Sequence, residues 1–257
     1  MNEYLDEISN IEKKQLLEKF VYKNNDLEEL KAITNRFNIF ASLGVVRQEL
    51  RHSNFLSWIL NPFETHNLGD YFLSSFLKMA AFSKGEDKII DLDLLDIDAL
   101  DFSDASILVE WQKIDILMVD DTNKVLCVIE NKIDTKEHSN QLTRYREKVE
   151  TNYPNYKKLF IYLTINGEAP ENNPEYLSVG YKQISELMDT LLKSKGTQLN
   201  NEVVLFIQHY NEMIKRYIME DSEIQRLCEN LYKKHKPALD LLFKYKPDIY
   251  MHIKDAL

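Results

Sequence analysis

The sequence predicts an α/β protein in which a block of strands lies between two helical regions. Three observations predict it. Apolar residues recur at three- and four-residue steps through roughly the first eighty positions and again from Ile184 to Ile253, the spacing of amphipathic helices. From about Ala105 the pattern switches to nearly continuous apolar runs rich in β-branched residues. The chain also has only 6 Gly and 6 Pro, too few for a sandwich or barrel built on many tight turns. Its 257 residues are enough for one large domain or a core with a helical annex.

In the first helical region Leu16, Leu17 and Phe20, then Leu27, Leu30, Ile33 and Phe37, mark helix faces. Ser53 before Phe55, Leu56, Ile59 and Leu60 reads as a helix start, and Asn61-Pro62 as its end. Gly69-Asp70 opens a further helix through Phe72, Phe76 and Met79. Strands are expected at Ile107–Trp111, Ile114–Val119, Val125–Ile129 and Leu159–Ile165, with a helix from Ser139 to Thr151 between the last two. Asn166-Gly167 and the stretch from Pro170 to Pro174 read as loop, and helices alone are expected thereafter. The expected organisation is a helical region over 1–45, a core over 46–166 and a C-terminal helical region over 167–257 packed on that core. The aromatic residues Tyr210, Tyr217, Tyr232, Phe243 and Tyr245 read as core of those helices.

Composition excludes several classes. The apolar fraction of 44% and charged fraction of 29% are ordinary for a globular protein. No stretch reaches the roughly 20 apolar residues of a spanning helix, and Met1 to Phe20 lacks the apolar run of a secretory leader. A cytoplasmic protein without membrane contact is expected. Cys127 and Cys228 show no Cys/His ligand spacing, which argues against a zinc site or disulfide scaffold. The formal net charge of -10 weighs against nucleic acid, since phosphate affinity comes from Lys and Arg. Basic residues nonetheless gather at Lys132 to Lys148 and Lys233 to Lys246, and an acidic enzyme can be basic at its cleft.

The chemistry concentrates in the second hairpin. With Asp121 to Lys124 as its loop, Asp120 faces Val125, and counting outward sets Asp115 opposite Glu130. Opposed residues of antiparallel strands share a face with Cβ atoms about 5 Å apart. Lys132, two residues past Glu130, shares that face. Two carboxylates so close repel unless a proton or cation bridges them. Such oxygen ligands suit Mg²⁺ or Mn²⁺, which polarise a phosphate and acidify a bound water. Lys132 beside that water can position it or stabilise developing negative charge. The same three residues also fit a salt-bridge cluster that holds the hairpin together.

Asp115 in Lys113-Ile114-Asp115-Ile116-Leu117, with Glu130-Asn131-Lys132, resembles the D…(D/E)-x-K signature of the PD-(D/E)XK nuclease superfamily. Arg51-His52-Ser53-Asn54-Phe55-Leu56-Ser57-Trp58-Ile59-Leu60-Asn61-Pro62, followed by Leu68-Gly69-Asp70, is similar to the N-terminal helical block of a bacterial family in that superfamily. Gln141-Leu142-Thr143-Arg144-Tyr145 resembles the Q-x-x-x-Y element of RecB-like nucleases. Together these motifs cover roughly residues 38 to 165. The proline often found before the first catalytic Asp is replaced by Ile114. The resemblance implies a restriction-endonuclease-like αβββαβ core with a mixed central sheet, flanked by N- and C-terminal helices. It further implies dependence on a divalent metal, cleavage of DNA, association with bacterial defence, and relatives that run longer than Leu257.

It also directs attention to supporting residues. Relatives carry an extra acidic residue on the first core helix, for which Glu49 is the candidate metal ligand. Glu110, a charge in an apolar stretch, is its rival. His52, one turn from Glu49, is a candidate substrate contact or a satisfied interhelical histidine. Gln141 is assigned to the catalytic set with Asp115, Glu130 and Lys132, and Tyr145, one turn on, to substrate binding. Arg144, Lys148 and Lys136 are candidate phosphate contacts, although single helical charges are more often solvated. The alternative to a nuclease is a non-catalytic interaction protein that kept the core. A homodimer or a partner protein fits either reading.

Overall fold

A computed structural model describes residues 8–84, 90–134, 140–219 and 223–246. Their contacts divide the chain into two compact units, residues 1–37 with 221–257 and residues 38–220.

The first unit is helical. Helix α1 (Asn10–Val21) starts at a capping box in which Ser9 and Glu12 satisfy each other's backbone N–H groups. Helix α2 (Asn25–Thr34) starts at Asn24, whose side chain accepts from the Leu27 N–H. In the second unit a short helix α3 (Ile39–Ser42) is capped by Asn38, and helix α4 (Glu49–Leu60) follows. Helix α4 begins four residues before the start expected at Ser53. Ser53 lies inside it and returns its hydroxyl to the Glu49 carbonyl at 3.1 Å, a bond that lets serine sit mid-helix. The expected end at Asn61 holds. Helices α5 (Tyr71–Phe82) and α6 (Leu94–Asp98) lead into the sheet.

Strands β1 (Ser106–Trp111), β2 (Ile114–Asp120) and β3 (Val125–Asn131) form an antiparallel meander. Helix α7 (Gln141–Asn152) then crosses over to β4 (Lys157–Thr164), parallel to β3, as a parallel pair requires. The expected αβββαβ order is present, with α5 and α6 inserted before β1. Of the expected α7, Ser139 lies outside the described residues. A fifth strand, β5 (Leu177–Gly180), extends the sheet parallel to β4, where the sequence suggested helices alone after the loop. The order β1-β2-β3-β4-β5 makes the sheet mixed, as expected. Gly167 and Gly180 permit the tight return into β5, since a Cβ on Gly180 would meet the Gly167 backbone nitrogen at 3.1 Å.

Helix α8 (Tyr181–Lys195) and helix α9 (Asn201–Met213), which runs on into a π turn (Ile214–Ile218), complete this unit. Period-two alternation sorts the strands' side chains onto two faces. Ile116, Met118, Val125, Cys127, Ile129, Ile161 and Leu163 share one core with buried residues of α4, α5, α8 and α9. Leu117, Val119, Leu126, Val128, Phe160 and Tyr162 pack instead with Leu142, Tyr145 and Val149 of α7. All seven residues of β3 are buried, as befits the strand at the middle of a sheet covered on both sides.

Helix α10 (Glu223–Lys244), the last among the described residues, belongs to the first unit and kinks at His235, just before Pro237, which cannot donate to the helix ladder. His235 meets Asn24 at 3.3 Å. Tyr210 lies in the core as expected, whereas Tyr217, Tyr232, Phe243 and Tyr245 are exposed. Ile253 is outside the described residues. No helix among the described residues is long and apolar enough to cross a membrane.

Candidate active site

The register of the second hairpin is the one counted from sequence: Asp120 pairs with Val125, and the pairing continues to Ile116 and Ile129. The next step outward sets Asp115 across from Glu130. Both project from the face covered by α7, and Lys132 follows Glu130 on that side. Lys132 lies one residue past β3, yet its N–H still donates to the Leu163 carbonyl at 2.8 Å, so the parallel ladder holds it in strand geometry.

Glu130 is fully buried. Its Oε1 takes the Lys132 ammonium at 2.7 Å and the Gln141 amide at 2.7 Å, while Oε2 finds no hydrogen-bond partner among the described residues. Burial, then the charge of Asp115, raises the Glu130 pKa, and Lys132 only partly offsets them. Asp115 is raised to about 6, mainly by burial; the Asn131 N–H and Lys132 oppose the rise, and Glu110 and Glu49 add to it. For Lys132 burial acts downward, but attraction and hydrogen bonding to Glu130, with the charges of Asp115 and Glu49, together outweigh it and the pKa is raised.

The supporting residues separate clearly. Gln141, at the start of α7, also donates to the Tyr145 hydroxyl at 2.7 Å, and Tyr145 donates in turn to the Lys113 carbonyl. Tyr145 is thus a buried brace between α7 and the first hairpin turn, in place of the substrate contact expected of it. Lys148, also expected at phosphate, gives its ammonium to the Gln112 carbonyl at 2.6 Å. Arg144 is exposed on α7, and no comparable contact takes up its side chain among the described residues. Lys136 lies outside the described residues.

Glu49 opens α4 and accepts the Ile133 N–H at 3.0 Å, which brings its charge to the end of β3. Glu110 stands in β1 between the pairs Val109–Ile116 and Trp111–Ile114, hence across from Asp115. It holds φ at 56°, a left-handed conformation uncommon for a residue with a Cβ. Gln112 and Lys113, the two-residue turn that follows, are left-handed as well.

His52 does not join the cluster. It is 1% exposed, its Nε2 faces the Val46 carbonyl at 2.8 Å and its Nδ1 the Tyr210 hydroxyl at 2.9 Å. Nε2 must therefore carry a proton, and burial lowers the pKa, which favours the neutral ring. Of the two readings of His52, the structure has the satisfied core histidine, with both nitrogens engaged.

One residue was absent from the sequence expectations. Asn131, between Glu130 and Lys132, points to the opposite face and is fully buried. Its only advance signal was a carboxamide at a core position of an apolar strand, which must find partners.

Among the described residues no group of three or more His, Cys, Asp or Glu side chains is gathered as a ready metal cage. Two close carboxylates with raised pKa values and an unpartnered buried Oε2 nevertheless suit a cation. Mg²⁺ in particular binds through one or two carboxylates and keeps several waters.

A family model of the PD-(D/E)XK nuclease superfamily matches residues 37–212, more than half of the chain and the whole of this cluster. No curated protein and no solved structure gives a significant match.

Proposed function

The chain belongs to the PD-(D/E)XK nuclease superfamily, and from that membership we propose that it is a divalent-metal-dependent deoxyribonuclease, using Mg²⁺ or Mn²⁺, that acts in bacterial defence in the cytoplasm. The observation that carries the reading is Glu130, a wholly buried carboxylate with one oxygen held by Lys132 and Gln141 and the other without a hydrogen-bond partner among the described residues. Leaving a buried acceptor unpaired costs roughly 1–3 kcal/mol, a cost that makes sense where a ligand is to be bound.

Asp115 and Glu130 are the residues to hold the metal, with Glu49 and Glu110 adding negative charge from α4 and β1. The metal would supply Lewis acidity toward a phosphate oxygen and a water acidified for attack. Lys132 keeps Glu130 oriented through its 2.7 Å contact and presents a cation where charge develops on the phosphate. Gln141 fixes Glu130 Oε1, which would leave Oε2 to the metal, and Tyr145 fixes Gln141. Arg144, exposed on α7, is the phosphate contact that remains from the sequence expectations.

The test is a Mn²⁺ and Mg²⁺ titration of cleavage of plasmid and single-stranded DNA, run beside Glu130→Ala. Metal-dependent cleavage that disappears in the variant is expected. Absence of both cleavage and metal binding would overturn the reading in favour of a non-catalytic interaction protein.

A further inference from the structure

We propose that Asn131 is a positioning residue that locks the two candidate metal carboxylates and Lys132 into one arrangement, with Tyr181 as its support. The inference rests on the nuclease reading and extends it to a residue on the opposite side of the sheet.

Asn131 connects the two faces through different atoms. Its backbone N–H donates to Asp115 Oδ2 at 2.8 Å, which ties β2 to β3 at the site. Its side chain, on the other face, donates to the Glu49 carbonyl and to Ser53 Oγ, each at 3.2 Å, and accepts the Tyr181 hydroxyl at 2.7 Å. The carboxamide orientation follows from the partners, since the Glu49 carbonyl can only accept. Both side-chain hydrogens and the side-chain oxygen are thus engaged, by α4 on one side and the first residue of α8 on the other.

Strand geometry converts that anchorage into placement. Residues 130 and 132 project opposite to 131, so fixing the Asn131 side chain fixes the rotation of β3 about its axis where Glu130 and Lys132 leave it. Tyr181 is itself fully buried, and its ring meets His52 edge-on with centroids 5.4 Å apart. Asn131 reaches no open face, so it touches neither substrate nor metal and acts only through its neighbours. Partners of this kind around metal ligands typically change affinity or activity 10- to 100-fold when removed.

The full chain and its Asn131→Ala, Tyr181→Phe and Ser185→Ala variants test this. Ser185 is a control, a buried α8 hydroxyl bonded to Asn211 at 2.6 Å and outside this network. Melting temperature, Mn²⁺ affinity by calorimetry, and kcat and KM for DNA cleavage are measured for each. Asn131→Ala is expected to weaken Mn²⁺ binding about tenfold or more and to lower kcat with KM little changed. Tyr181→Phe, which removes one hydroxyl, should follow in the same direction by a smaller factor, and Ser185→Ala should do neither. Folded Asn131→Ala with wild-type Mn²⁺ affinity and kcat would overturn the proposal, as would an equal loss in Ser185→Ala. If Asn131→Ala does not fold, wild-type affinity and kcat in Tyr181→Phe overturn it alone. Wild-type protein that neither binds Mn²⁺ nor cleaves DNA would instead remove the nuclease reading, and this inference with it.

Discussion

Gln141 and Glu130 meet side chain to side chain, the amide Nε2 donating to Oε1 at 2.7 Å, so the first residue of α7 grips the carboxylate at the centre of the candidate site. The second hydrogen of the same amide goes to the Tyr145 hydroxyl. Both donors are therefore committed, and the amide cannot rotate without losing one of them.

Gln141→Ala should accordingly leave the fold intact and reduce activity. Residues that orient a metal ligand from behind typically contribute 10- to 100-fold, and a loss in that range is expected in kcat, with a parallel loss in Mn²⁺ affinity by calorimetry. Wild-type values for both would show that Glu130 needs no help from α7.

Lys132→Ala removes the ammonium that contacts Glu130 Oε1. A donor aimed at developing charge is worth roughly 10²–10³ in kcat, so cleavage should fall by at least that factor. Circular dichroism should report an unchanged fold, because the backbone N–H of residue 132 still bonds Leu163. Full activity in that variant would sink the proposed role.

The raised pKa of Asp115 has a consequence for stability. Burial puts it at about 6 in the folded protein, from an ordinary value of 3.8. The native state therefore binds more protons than the unfolded state between those values. Stability from this group is fully present below about pH 4 and is lost as pH rises through 6. The loss is on the order of 3 kcal/mol. Comparing urea unfolding of metal-free wild type with Asp115→Asn isolates it. The wild type should lose stability relative to the variant from pH 4 to pH 7, and millimolar Mg²⁺ should restore it at the upper end. A pH-independent difference between the two would contradict the burial that the fold imposes.

The hairpin that carries Asp115 and Glu130 was legible in the sequence because its polar loop, Asp121 to Lys124, is bounded by two apolar runs, and one correct pair sets all the others. Helix α7 was legible by its spacing. Strand β5 was not: Leu177–Gly180 is four residues long, too short for a period to show, and it is a strand because β4 offers it an edge. The identities of the residues that His52 and Asn131 meet were equally hidden. Their partners, Tyr210 and Tyr181, come from helices far along the chain, and local sequence carries no trace of such meetings. Tyr145 shows the same limit, since only the folded turn reveals that its hydroxyl is taken by Lys113.

Glu110 supplies the sharpest separation between a structural and a functional carboxylate. Its φ of 56° costs on the order of 1 kcal/mol or more for a residue with a Cβ, and glycine would adopt it without strain. If Glu110 serves only the backbone, Glu110→Gly relieves that strain and changes nothing else. The charge of Glu110 reaches Asp115, however, and the register sets the two residues opposite each other. We therefore expect Glu110→Gly to raise unfolding free energy by about 0.5–1 kcal/mol, after allowance for the freer unfolded glycine, while weakening Mn²⁺ binding severalfold. Stability gained without any change in Mn²⁺ affinity would assign Glu110 to the backbone alone and leave Glu49 as the supporting carboxylate.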